Sequence, residues 1–132
     1  MRRIAALLAL TLFLTGCAAR HDSMQKLRDL KFAVLEREEE PEELRKMIDE
    51  SLEEPFQIFY AEQGVLYIAE GYGCQPTTGY SVEVRELYET EDAIRIRTNL
   101  LGPEKGEEIK EIDTYPYVVV QLEYIEKDVL FD

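Results

Sequence analysis

Tryptophan is missing from the 132 residues, histidine occurs once and cysteine twice. These shortages exclude most metal and nucleophile chemistry. No His/Cys set stands at zinc-ligand spacing, and no Asp-x-Asp-x-Asp-Gly calcium loop occurs. The single histidine, His21, sits in a polar stretch that offers no packed frame to orient a general base. His21-Asp22-Ser23 contains the residue types of a hydrolase triad, but neighbours along a chain do not create triad geometry. No Gly-rich phosphate cradle of the P-loop kind is present. Positive charge is also short: 15 Lys and Arg face 28 Asp and Glu, a net charge of −13. Such a chain repels phosphate backbones and anionic headgroups, so no nucleic-acid partner is expected. Among the acids, the densest group lies between Glu36 and Glu54 and reads as solvated. We therefore expect no enzyme, no catalytic residue, no metal site and no diffusible cofactor.

Long apolar runs are scarce too. The only extended one, Ile4–Leu14, is too short for the roughly 20 residues that a helical span needs. It follows Arg2 and Arg3 and precedes Leu14-Thr15-Gly16-Cys17, which resembles the bacterial lipobox. The expectation is a lipoprotein signal peptide over residues 1–16, cleaved before a Cys17 that carries diacylglycerol and an N-acyl group. Each buried methylene adds about 0.8 kcal/mol of membrane affinity, and one chain alone gives only reversible attachment. Several chains on Cys17 make a durable anchor, so the location expected is the cell membrane or outer membrane, facing away from the cytoplasm. Cleavage removes Arg2 and Arg3 and no acid, leaving 13 basic residues against 28 acids. With Cys17 consumed by lipid, Cys74 has no partner for an internal disulfide. The residues beside Cys74 supply no cation to activate it, and it reads as a small, partly buried loop residue.

Residues 17–29 read as the lipidated cysteine and a polar tether, and 30–132 as one globular domain. Leu30–Leu35 alternates as a first strand. Pro41 suits the first turn of a helix running to about Glu53, with Leu44, Met47, Ile48 and Leu52 on one stripe. Pro55 ends it. Strands follow at Phe56–Tyr60, Val65–Ala69, Val82–Tyr88, Ile94–Leu100 and Tyr115–Tyr124. Glu62-Gln63-Gly64 and Glu91-Asp92 are turns. Val65–Ala69 is apolar on both faces and reads as a central strand. Short connections imply antiparallel pairing. The fold class expected is α+β: a small, mainly antiparallel domain of about six strands with one amphipathic helix packed on it. A compact β-sandwich or partly closed barrel is the alternative.

Two segments stand out from this frame. In Gln75-Pro76-Thr77-Thr78-Gly79-Tyr80, proline fixes one angle, glycine permits positive φ and the threonine hydroxyls can satisfy turn amides. It reads either as a rigid strand connection or as a preshaped contact loop, with Tyr72 and Tyr80 as anchors and the Gly102–Gly106 loop beside it. Tyr115-Pro116-Tyr117 opens the last predicted strand, where proline is tolerated. The candidate protein-binding residues are thus Tyr72, Pro76, Thr77, Thr78, Gly79, Tyr80, Tyr115 and Pro116.

Pro76–Val84 followed by Thr114–Val120 resembles the C-terminal domain of the protease complex subunit PrcB family, over about residues 64–124. The resemblance implies an exported accessory domain beside an extracytoplasmic protease or its precursor, without protease activity of its own. Pro76–Tyr80 is also similar to a loop of the chagasin-like inhibitors of papain-type cysteine proteases, which have an immunoglobulin-like fold. There an asparagine usually precedes the proline, where this chain has Gln75, and two further inhibitor loops lack counterparts. An envelope lipoprotein that binds a small ligand or glycan through exposed tyrosines is a third reading.

Overall fold

The computed structural model describes residues 25–132. The expected signal peptide over 1–16, the lipid site Cys17 and His21 lie outside the described residues. Eight strands and one α-helix are present among those described: β1 Arg28–Asp29, β2 Ala33–Val34, α1 Glu42–Asp49, β3 Pro55–Glu62, β4 Val65–Tyr72, β5 Ser81–Glu89, β6 Ala93–Leu101, β7 Tyr117–Glu123 and β8 Asp128–Phe131. They form two four-stranded sheets, ordered β1-β5-β6-β8 and β2-β7-β4-β3. The domain is therefore richer in β-structure than the expected six strands and helix. It is built from two sheets, and no barrel closes among the described residues.

The core lies between the sheets. Leu66 and Ile68 of β4 and Val118, Val120 and Leu122 of β7 meet Leu87 of β5, Ile94 and Ile96 of β6 and Val129 of β8. A second cluster lies on the other face of β4 and β7, where Leu44 and Ile48 of α1 cover Ala69 and Val119. β4 is thus apolar on both faces because it is buried on both, as its sequence predicts. Leu44 and Ile48 are 0% exposed, and each such side chain contributes about 1.5–3 kcal/mol of burial.

Local sequence explains most element boundaries. β3 and β4 pair in full register from Pro55–Tyr72 to Glu62–Val65. Gln63 (φ 49°) and Gly64 (φ 80°) close that hairpin, the conformation that a two-residue primed turn demands. In β5 the inward alternation Val82, Val84 resumes at Leu87, out of step, because the register shifts between Val84 and Glu86. This β-bulge places Arg85 as the extra residue. Helix α1 ends at Asp49 rather than Glu53 and begins after Pro41, which is its N-cap. Beyond Asp49 the chain turns back to feed β3, with Ser51 N–H donating to Ile48 O (2.9 Å).

Three expectations need correcting. The strand foreseen at Leu30–Leu35 shrinks to β2, Ala33–Val34, with β1 ending just before it at Asp29, since this segment leaves the edge of the first sheet and joins the second. Leu30 N–H donates to Leu87 O (3.0 Å) and Leu35 N–H to Val119 O (2.9 Å). Strand pairing already starts at Arg28, inside the stretch read as tether. Finally, β7 is not the last strand. β8 runs parallel to β6, and the chain reaches it through β7 in the opposite sheet, a long crossover of the kind parallel pairing requires.

Candidate functional site

The two segments singled out in the sequence meet at one end of the sheets. Gln75 and Thr114 form a two-way bridge, with Gln75 N–H donating to Thr114 O (2.8 Å) and Thr114 N–H to Gln75 O (2.9 Å). Thr78 N–H donates to Lys110 O (3.1 Å), and Lys110 N–H donates back to Thr78 Oγ1 (2.9 Å). Thr114 Oγ1 donates to Thr77 O (2.7 Å), and Thr77 Oγ1 to Thr78 O (2.9 Å). The threonines are therefore spent on joining loop 73–80 to loop 102–116. Each such bond adds about 0.5–1.5 kcal/mol net, and together they hold two irregular segments as one body.

Gly79 completes the joint. Its φ is +94°, and a Cβ there would lie 2.8 Å from Pro103 Cβ and 3.1 Å from Glu107 Oε2. Only glycine satisfies both the positive φ and the close approach of the Gly102–Gly106 loop. Tyr80 lies against Gly102. Tyr72 N–H donates to Pro116 O (3.1 Å), which ties the end of β4 to the start of β7.

What remains outward is partly apolar. Ile109 is 40% exposed, Ile112 54% and Tyr115 36%, and Pro76 is exposed beside them in the joined pair of loops. The two isoleucines were not foreseen as contact residues. Their signal was present, as isolated large apolar residues inside the acidic run Glu107–Asp113, where a solvated loop has no use for them. Tyr72, by contrast, turns its hydroxyl inward. It shares a hydrogen bond of 2.6 Å with Thr98 Oγ1, which donates to Glu70 Oε1 (2.8 Å). Cys74 is exposed rather than partly buried. Desolvation, and then the nearby Asp113 carboxylate, push its thiol up and leave it unactivated.

A second polar cluster lies behind the joined loops. Tyr117 donates its hydroxyl to Glu40 Oε2 (2.8 Å), and Arg37 Nη1 donates to the Tyr117 oxygen (3.2 Å). Arg37 Nη2 is held by both oxygens of Asp49 (3.0 and 2.9 Å), which raises the Arg37 pKa. Arg45 Nη2 donates to the carbonyl of Glu40 (2.9 Å). Glu40 was read as part of a solvated charge run, yet it is only 4% exposed. The chain folds it under Tyr117 as it enters α1. Burial raises the Glu40 carboxyl, opposed by the Tyr117 hydrogen bond. Burial, and then that same bond, raise Tyr117. A cleft of about 340 Å³ runs past this cluster, lined among others by Arg37, Glu40, Tyr80, Pro116 and Tyr117.

Among the described residues no group of His, Cys, Asp and Glu could hold a metal ion. No described helix is long and apolar enough to cross a membrane. The arrangement is a built surface with one buried carboxylate behind it, suited to recognition.

Residues 66–123 match the protein-family model described as PrcB C-terminal, so this stretch is similar to that family. The match runs from β4 to β7 and contains both joined loops, in agreement with the resemblance seen in the sequence. It leaves out α1, Glu40 and β8. Comparisons with curated proteins and with solved structures gave no match.

Proposed function

We propose, from the PrcB C-terminal match over residues 66–123, that this chain is a non-enzymatic accessory domain of an extracytoplasmic protease complex. It binds another protein of that complex, the protease or its precursor, through the joined loops. Acyl chains on Cys17 hold it to the membrane, and the acidic domain stands off the anionic headgroups. The observation that carries the reading is the joint itself. The two segments by which the family resemblance was recognised are hydrogen-bonded into one rigid body. Ile109, Ile112 and Tyr115 lie exposed on it. Rigid apolar contacts lose little conformational entropy on association. In this reading the threonines act indirectly, by fixing the loop shape, while the isoleucines and Tyr115 touch the partner.

The test is co-purification from detergent-solubilised membranes. Wild type is expected to retain a secreted protease or its proform. Ile112→Asp, and Thr78→Asp, which breaks the joint, are expected to lose it. Equal recovery with these variants and with Tyr80→Ala counts against the loops as the contact. Incorporation of labelled palmitate, lost in Cys17→Ser, checks the anchor separately.

A further inference from the structure

The second sheet ends on a long, uncharged edge. Of the four sheet edges, three are short: β1 and β2 have two residues each and β8 has four. Charge accompanies them, with Arg28 and Asp29 in β1, Lys31 and Glu36 near β2, and Asp128 and Asp132 at the ends of β8. Shortness and charge protect a sheet edge against pairing with another chain. β3 has neither. It runs for eight residues, Pro55–Glu62, pairs with β4 without a bulge, and carries no charge from Pro55 to Ala61.

The register fixes which backbone groups face off the sheet. The two-residue turn makes Glu62–Val65 a hydrogen-bonded pair, so Tyr60, Ile58 and Phe56 bond to β4 and Gln57, Phe59 and Ala61 alternate with them. Tyr72, opposite Pro55, accordingly donates its N–H away from β3, to Pro116 O (3.1 Å). The N–H and C=O groups of Gln57, Phe59 and Ala61 thus point outward, with no backbone partner among the described residues. All three residues are exposed. Phe59 stands beside Ile68 of the core between the sheets, yet it is 56% exposed. Helix α1 lies inward of this edge, with Leu44 and Ile48 over Ala69 and Val119 of β4 and β7.

We propose that β3 pairs antiparallel with β3 of a second copy of this chain, about a two-fold axis at Phe59. The claim is independent of the accessory-domain reading. In this register Phe59 faces its own counterpart, Gln57 faces Ala61, Ile58 faces Tyr60 and Glu62 faces Phe56, so no acid stands opposite an acid. The outward N–H groups of each copy meet the outward C=O groups of the other. The two Phe59 rings lie side by side and cover each other. Charge selects the occupant. Two chains of net charge −13 repel each other, and the edge Pro55–Ala61 offers them a neutral approach. A basic partner, which this chain attracts, gains nothing from a neutral edge. A second copy also brings an unpaired strand of the same length, and a two-fold contact closes with neither β3 edge left free.

The test is sedimentation equilibrium of the full chain in density-matched detergent, joined to amide exchange and cross-linking. The mass is expected to rise from that of one chain toward that of two over about 1 μM to 1 mM. Exchange at the Gln57, Phe59 and Ala61 amides should slow in step. Phe59→Lys sets like charges opposite each other at an exposed position and should weaken the dimer at least about tenfold. In a Cys17→Ser, Cys74→Ser background, Phe59→Cys should give a disulfide-linked dimer on mild copper oxidation, since the Cα atoms of such a pair stand about 5.5 Å apart. Ala61→Cys should not cross-link to itself, but should cross-link to Gln57→Cys in a mixture of the two. These cross-links decide the matter if Phe59→Lys fails to fold. A monomer throughout the range overturns the proposal and leaves the edge to a strand of another protein. A dimer that folded Phe59→Lys leaves intact, or Ala61→Cys cross-linking to itself in preference to Phe59→Cys, places the contact elsewhere and also overturns it. Protection of the three amides in the dilute monomer overturns it too, because the chain's own leading residues would then cover β3.

Discussion

Replacing Gly71 by alanine probes the junction on which helix layer, second sheet and motif loops all depend. Gly71 is buried in β4, directly opposite Phe56 of β3. A Cβ built on it would lie 2.2 Å from Phe56 Cε2, 2.7 Å from Cδ2 and 2.8 Å from Cζ. Carbon atoms at rest stand about 3.5–4.0 Å apart, so the ring must withdraw by roughly 1.3 Å. Phe56 packs against Tyr117, with ring centroids 6.3 Å apart, and against the α1 cluster, so moving it disturbs both. Overpacking of this kind costs about 1–3 kcal/mol. Alanine recovers about 0.4–1 kcal/mol by restricting the unfolded chain. The expected net loss is therefore centred on about 1.3 kcal/mol and at most about 2.6 kcal/mol. Urea unfolding of the purified protein, followed by far-UV circular dichroism and tyrosine fluorescence, measures it. In a Phe56→Ala background the clash is gone, and the same substitution should be neutral or stabilising. If Gly71→Ala costs nothing, or costs the same with and without the ring, the reasoning from steric approach is wrong.

Gly79→Ala should destabilise by about 1–3 kcal/mol through its positive φ and Pro103, and should speed amide exchange at Thr78, Lys110 and Thr114. Unchanged protection there would contradict the joint. Leu44→Ala should cost about 2–5 kcal/mol in the same urea assay, because Leu44 is 0% exposed beneath α1; a loss below 1 kcal/mol would mean that the helix merely rests on the sheet. Lys127 first, and then Arg28, lower the Glu89 carboxyl, from hydrogen bonds of 2.6 and 2.7 Å. Its folded-state pKa lies below its unfolded one, so its stabilisation is present above the ordinary carboxylate range and fades as pH falls through the folded value. Glu89→Gln should therefore be less stable than wild type at pH 7 and approach it in acid, as read from melting temperature against pH.

Much of this architecture is legible in the residues. Alternation located β3 to β7, the apolar faces of β4 marked it as central, and Glu62-Gln63-Gly64 marked the hairpin turn. The motif pair Pro76–Tyr80 and Thr114–Tyr117 pointed to the end of the molecule where the two loops join. The failures share a cause. β1, β2 and β8 span two to four residues each, too few for a period to register, and are strands only because a neighbouring edge supplies their hydrogen bonds. The burial of Glu40 is equally invisible along the chain, since an acid in the run Glu36–Glu43 looks solvated until Tyr117, 77 residues away, closes over it. Ile109 and Ile112 could have been noticed as apolar residues without a strand to serve.

The sequence by itself determined what is local: where strands alternate, which turn needs positive φ, which face of α1 is apolar, and the surplus of acid over base that sets the chain's long-range field. Tertiary structure alone decided which distant segments meet. Hydrogen bonding between Gln75 and Thr114, the approach of Pro103 to Gly79 and the enclosure of Glu40 depend on how two sheets pack. A contact between residues far apart in the chain leaves no periodic trace in either segment.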